Sequence, residues 1–368
     1  MKTKCIKWTP ESGFTDRELE EAKEVIRRGG LVAFPTETVY GLGGNGLLPE
    51  ASKRIYAAKG RPSDNPLILH IARKEQLADI VQQVTEPAEK LAEAFWPGPL
   101  TMILDKAANV PYETTGGLDT VAVRMPEHRG ALAFLERAGV PVAAPSANLS
   151  GRPSPTRAEH VREDLDGRID MIIDGGEVGI GFESTIVDLT EEIPVILRPG
   201  SVTKQMLEHV IGEVRTDPAI VENTKPAEEK KLEMPEEERA QHPKAPGMKY
   251  RHYAPKAPMT VFRGEEEAVA AWIGNLAAAY CREGTYCAEE IGILTTEETK
   301  HHYPFGQVVS VGSRKEHTVG RYLYEALRKF DELHVKIILS ESFYGLEQEE
   351  AIMNRLLKAA GQHVVDVK

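Results

Sequence analysis

Two cations stand two residues apart in KGRPSDNPLILH, residues 59–70, just ahead of an apolar run. Lys59 and Arg61 follow a segment of helical pattern that Gly60 can end, and the rings of Pro62 and Pro66 stiffen the loop that presents them. An arginine fork matches phosphate or carboxylate and a lysine adds a point charge; phosphoryl or nucleotidyl transfer needs such cations fixed where charge accumulates. A second polar stretch, APSANLSGRPSPT at 144–156, sets Ser146, Asn148, Ser150, Ser154 and Thr156 directly after an apolar strand. Hydroxyls and amides beyond the carboxyl end of a strand suit phosphate or ribose oxygens. No G-x-S-x-G frames these serines, which disfavours a covalent serine hydrolase. Arg124 ends TVAVR, Glu183-Ser184-Thr185 opens STIVD, and Arg198 follows PVIL. This pattern puts Lys59, Arg61, Arg124 and Arg198 near the strand ends of one sheet. His70 lies within PLILHIA, where a satisfied core histidine is the ordinary reading and its neighbours decide.

The stretch AFPTETVYGLGGNG at 33–46 contains a G-x-G-x-x-G through Gly41, Gly43 and Gly46. In a dinucleotide fold these glycines follow the strand at once, the last opens a helix, and an acid about 20 residues on ends a second strand. Here TETVY intervenes, Leu47, Leu48 and Pro49 precede the helix, and Asp64, at the right distance, lies in a loop. A glycine-rich turn that lets backbones approach closely is the better reading.

The elements that must position these residues follow from periodicity. Thr15 and Glu18 form a T-x-x-E capping box for a helix that Gly29 and Gly30 can close. LVAFPT, PLILHIA, PLTMILD, TVAVRMP, VPVAAPS, DMIIDGG, STIVDLT and PVILRPG read as strands, with helices around 50–58, 74–95, 128–138, 157–165 and 201–211. Consecutive strands near the end of this region predict a mixed sheet. From Met259 the order MTVF, helix 265–282, IGILTT, QVVSVG, helix 314–332, VKIILS, helix 348–360, HVVDV predicts a smaller, mostly parallel doubly wound domain. The expected division is a catalytic domain at 1–212, a linker at 213–258 and an accessory domain at 259–368. Within that linker, residues 217–241 hold eight acidic and four basic residues and few apolar ones; it ends in PGMKYRHYAP, 246–255, where prolines stiffen a segment rich in aromatic and cationic side chains.

A chain of 368 residues fits about two domains. With 41% hydrophobic and 28% charged residues, no apolar run of about 20, and no apolar h-region after MKTKCIKWTPESG, it reads as a cytoplasmic globular protein with no membrane association. Cys5, Cys281 and Cys287 form no C-x-x-C pair and argue against a disulfide framework or a zinc knuckle. A net charge of -12 repels polyanions broadly, so nucleotide or nucleic-acid contact must come from a local basic site.

Taken in order, PTETVYGLG, KGRPSDNPLILH, FWPGPLT, SANLSG, FESTIVD and LRPG resemble the YrdC-like family in its long two-domain form, whose members make threonylcarbamoyl-AMP; PGMKYRHYAP is similar to that family's interdomain linker and the tail to its Rossmann-like accessory domain. The resemblance implies a YrdC-like twisted mixed sheet with helices, and a reaction of L-threonine, bicarbonate and ATP, with Mg²⁺, giving threonylcarbamoyl-adenylate and pyrophosphate. It implies that downstream tRNA threonylcarbamoyl-transfer proteins take the product to the tRNA position beside the anticodon, with weak tRNA contact by this chain. On matching positions Thr38, His70, Arg124, Ala144 and Ser184 would surround threonine, and Arg61, Asn65, Thr120, Ser146, Ser154 and Arg198 would surround ATP. Lys59 and Arg61 would stabilise charge in adenylyl transfer, and Tyr250, Arg251, His252 and Tyr253 of the linker would cover the nucleotide. The competing reading is a double-stranded RNA- or tRNA-binding module of the same fold that makes no adenylate; the net charge and the absence of an aromatic RNA platform oppose it. A related carbamoyl-adenylate enzyme of hydrogenase maturation would need zinc fingers that three cysteines cannot supply.

Overall fold

The structure, a computed structural model, describes residues 2–222, 244–246 and 253–368, with the backbone alone at 221–222. Contacts divide these residues into two units. One holds 2–217 apart from 151–153, together with 244–246; the other holds 151–153, 218–222 and 253–368. Tyr250, Arg251 and His252 lie outside the described residues.

The strands of the first unit are β1 (Lys4–Lys7), β2 (Val32–Phe34), β3 (Gly41–Asn45), β4 (Ile68–His70), β5 (Leu100–Asp105), β6 (Thr120–Arg124), β7 (Val142–Ala143), β8 (Met171–Asp174), β9 (Thr185–Asp188), β10 (Val195–Arg198) and β11 (Arg215–Thr216). They form one mixed sheet in the order β1-β8-β2-β3-β7-β4-β6-β5-β9-β10-β11. Because β11 pairs with β10, the unit continues past residue 212.

Period-2 alternation gives the sheet two apolar faces. Ala33, Leu42, Leu69, Met102, Val123, Val187 and Ile196 point to one face, covered by residues from the helices Pro49–Lys59, Glu86–Phe95, Ala158–Leu165 and Lys204–Ile211. Val32, Phe34, Val142, Met171 and Ile173 point to the other, where the helices Asp16–Arg27 and Arg129–Ala138 pack. Thr15 caps the first of these as the sequence predicts: its hydroxyl takes the Glu18 N–H while the Glu18 carboxylate takes the Thr15 N–H. Further along the second face, over β4, β6, β5, β9 and β10, the apolar cluster is small: Ile68, Ala122, Ile103, Ile186 and Leu197, with Ala245 of the linker buried against them. Lys244 anchors that segment by ion pairs to Glu191, at 2.8 Å, and Asp188, at 3.4 Å.

Two expectations are corrected. The glycine-rich segment is strand β3, fully buried, paired with β2 and β7. It is no turn: a Cβ on Gly43 would stand 2.7 Å from Val142 Cγ1 and 3.1 Å from the Val32 carbonyl, so glycine lets neighbouring side chains close over the strand. The expected helix at 74–95 is a 3₁₀ segment Lys74–Asp79 and a helix Glu86–Phe95, the latter with proline in its first turn.

The strands of the second unit are β12 (Met259–Arg263), β13 (Ile291–Thr295), β14 (Gln307–Ser310), β15 (Ile337–Glu341) and β16 (Val364–Asp366), all parallel, in the order β14-β13-β15-β12-β16. The helix Glu266–Arg282 packs Val269, Ala270, Ile273 and Ala277 on Phe262, Ile293 and Leu339. This is the doubly wound arrangement that the alternating pattern predicts. Among the described residues no helix is long and apolar enough to cross a membrane, and all three cysteines are free thiols.

Candidate active site

The site is built on the uncovered part of the second sheet face. His70 and Arg124 are partners across β4 and β6, two residues beyond Ile68 and Ala122 and therefore on the same face. Both are almost fully buried. Arg124 donates from Nε to the Gly98 carbonyl (3.2 Å), from Nη1 to the Thr38 hydroxyl (2.9 Å) and from Nη2 to Glu37 Oε1 (2.6 Å). Three of its five N–H groups are thus placed, and one remains on each terminal nitrogen. His70 Nδ1 stands 3.1 Å from the Ile68 carbonyl. Burial, then the Arg124 charge, push its pKa down to about 3 against the pull of backbone hydrogen bonds to Ile68 and Val142. His70 is a neutral imidazole at any ordinary pH.

Ser184 and Arg198 continue the polar row. The Ser184 hydroxyl is 2.7 Å from Thr101 Oγ1 and accepts from Arg198 Nη2 at 3.1 Å, while Arg198 Nε donates to the Ser184 carbonyl at 2.9 Å. A register shift between Ile196 and Arg198 in β10 brings the guanidinium round to this position. Ser154 is wholly buried and donates to Glu183 Oε1 at 2.6 Å. Ala144 follows β7, its N–H donating to the Ile68 carbonyl at 2.8 Å.

Three loops, 35–40, 144–157 and 175–184, meet here through backbone bonds. Ile180 and Gly181 donate to the carbonyls of Glu37 (2.8 Å) and Thr38 (3.1 Å), Tyr40 to Pro155 (2.9 Å) and Ala147 to Tyr40 (2.8 Å). The Lys59 ammonium is buried and donates to the carbonyls of Ser146 and Asn148. It fastens the 144–150 loop to the helix Pro49–Lys59, and Ser150 N–H returns a bond to the Lys59 carbonyl at 2.9 Å. Arg61, half-buried, donates to the carbonyls of Asn65 (3.3 Å) and Pro66 (3.1 Å). Asn65 itself is buried, and its Oδ1 makes no hydrogen bond. Thr120 opens β6 at the far end from Arg124.

The expected grouping at strand ends is therefore only half met. Arg124 and Arg198 close β6 and β10, but Arg61 lies before β4 and Lys59 ends a helix, because the sheet is mixed and its face, not one edge, is open. Tyr253 is buried, with its ring centroid 5.1 Å from that of Tyr324 in the second unit. Sequence reasoning missed Glu37, although it stands between the two threonines of PTET, and Thr101, hidden in an apolar strand.

A threonylcarbamoyl-AMP synthase of Bacillus subtilis is 47% identical to this chain, over 99% of it and all of the relative. The chain belongs to the threonylcarbamoyl-AMP synthases. Another member of the family, from Pyrococcus abyssi, is 48% identical over 93% of this chain and 94% of its own. Family models agree: one described as "Telomere recombination" matches residues 24–200, and one described as "Threonylcarbamoyl-AMP synthase, C-terminal domain" matches 202–361. Among solved structures, the P. abyssi Sua5 complexed with L-threonine has a TM-score of 0.87 and 46% identity, with both chains covered in full. The two-domain architecture of the synthases is thus that of this chain, and the RNA-binding module without adenylate synthesis is set aside.

Proposed function

We propose that this chain carries out the synthase reaction on the sheet face described above, taking L-threonine, bicarbonate and ATP to threonylcarbamoyl-adenylate and pyrophosphate. The single observation that carries the assignment of the site is the continuous buried row His70, Arg124, Thr101, Ser184, Arg198, which offers two guanidinium groups and two hydroxyls on one face. Arg124 has two N–H groups left for the threonine carboxylate, a bidentate match, with Thr38, neutral His70, Ala144 and Ser184 as the remaining wall. Arg61, Asn65, Thr120, Ser146, Ser154 and Arg198 form the ATP side, where Asn65 Oδ1 offers an acceptor to the nucleotide.

The threonine ammonium first gives up a proton, and the free amine then condenses with bicarbonate to give a carbamate and water. A carbamate oxygen then attacks the α-phosphorus in line, and pyrophosphate leaves. No protein nucleophile is needed, so the residues act by positioning and by charge stabilisation. Lys59 acts at one remove: its ammonium holds the Ser146 and Asn148 carbonyls and so shapes the loop that meets ATP.

A magnesium ion fits this wall. Among the described residues no three metal-binding side chains converge, and an ion held mainly by substrate phosphates and water needs only one or two protein oxygens, for which Glu183 beside Ser154 is the carboxylate in place. When bound, the ion neutralises charge on the phosphates. Tyr250, Arg251 and His252 are proposed to cover the nucleotide; Lys244 and Ala245, docked on the site face, lie just before them in the chain. Tyr253, engaged with Tyr324, is assigned to the second unit instead. Transfer proteins acting on tRNA would take the product. Pyrophosphate release that requires ATP, bicarbonate and L-threonine together tests the reading; release indifferent to threonine contradicts it.

A further inference from the structure

We infer that Glu37 is the selectivity residue of the threonine seat: paired with Arg124, it admits a zwitterionic α-amino acid and turns simple anions away. The inference rests on the site assignment above. All three substrates bring negative charge to a cleft that contains Arg61, Arg124 and Arg198. A bare Arg124 fork would take a carboxylate, bicarbonate or a phosphate oxygen with little discrimination.

Arg124 is not bare. Glu37 Oε1 lies 2.6 Å from its Nη2, with side chains only 12% and 5% exposed. The carboxylate is fixed: Oε2 takes the Glu127 N–H at 3.2 Å, and the Glu37 carbonyl takes the Ile180 N–H at 2.8 Å. Solvent screens such a pair weakly, so its field reaches a neighbouring ligand. A lone anion placed on the two remaining Arg124 N–H groups leaves the shielded site with net negative charge, which is costly. A zwitterion laid antiparallel to the pair, carboxylate to Arg124 and ammonium towards Glu37, adds none. The Glu37–Arg124 dipole therefore reads the amino group that later becomes the carbamate nitrogen, and keeps bicarbonate and the ATP phosphates out of the amino-acid seat.

The test compares L-threonine with 3-hydroxybutanoate, which keeps the carboxylate and the hydroxyl but lacks the ammonium. Titration calorimetry on the full chain should show wild type preferring threonine by about 10-fold or more, the scale of one charge-assisted hydrogen bond. In Glu37→Gln that preference should collapse: threonine binds more weakly, 3-hydroxybutanoate equally well or more tightly. Glu37→Asp, which retains the charge, should keep most of the preference, and ATP affinity should be unchanged in both variants, which also reports that they are folded. Equal binding of the two ligands by wild type, or an unaltered preference in a folded Glu37→Gln, overturns the inference. Failure of wild type to bind threonine at all would instead count against the site assignment.

Discussion

Arg198 holds Ser184 twice, by Nε to its carbonyl at 2.9 Å and by Nη2 to its hydroxyl at 3.1 Å. On our reading Ser184 faces threonine and Arg198 faces ATP, so the two substrate walls share a hydrogen bond. Ser184→Ala should therefore weaken both ligands, by roughly 3- to 10-fold each, the worth of a single hydrogen bond. Arg124→Ala, whose lost bonds run to Gly98, Thr38 and Glu37, should weaken threonine alone. Calorimetry separates the two patterns, and loss of ATP affinity in Arg124→Ala would show that the walls are wrongly divided.

Lys59 and Arg61 should behave differently despite their spacing. Removing the buried Lys59 ammonium strands two loop carbonyls, so Lys59→Ala should lower stability by roughly 2 to 4 kcal/mol as well as activity. Arg61→Ala, on a half-exposed loop, should leave the melting temperature near wild type while cutting adenylate formation by about 10- to 150-fold. Equal melting shifts in the two variants would contradict this assignment.

His70 gives a pH signature. Its folded pKa of about 3 lies below the unfolded value of about 6.5, so between these limits the unfolded chain binds the extra proton. The contribution is fully present above pH 6.5 and is lost as pH falls towards 3. His70→Gln should flatten the wild-type stability profile across that window in denaturant unfolding. Identical slopes for both proteins would mean that His70 titrates normally.

Much of this was legible because the chemistry lies in short polar runs at the margins of apolar strands: Arg124, Ser184 and Arg198 could be singled out without coordinates. Two things could not be read. Whether a buried cation serves substrate or scaffold depends on which carbonyls meet it, and KGRP looks the same in either case; only the fold turns Lys59 towards Ser146 and Asn148. The strand GLGGN shows neither alternation nor β-branched residues, since its packing is supplied by others, Phe34, Val142 and Ile55. Gly43→Ala should accordingly destabilise the protein by about 1 to 3 kcal/mol with substrate affinities preserved in the folded fraction. A neutral effect on the unfolding midpoint would show that β3 has room to spare.

On the proposed reading, one sheet face joins bicarbonate, threonine and ATP. The most direct measurement is mass spectrometry of the nucleotide formed from ATP, L-threonine and ¹³C-bicarbonate with magnesium. The expected product is a threonylcarbamoyl-adenylate that carries the isotope, forms with pyrophosphate, and falls sharply in Arg124→Ala. An adenylate without the label, or labelled product undiminished in that variant, would contradict it.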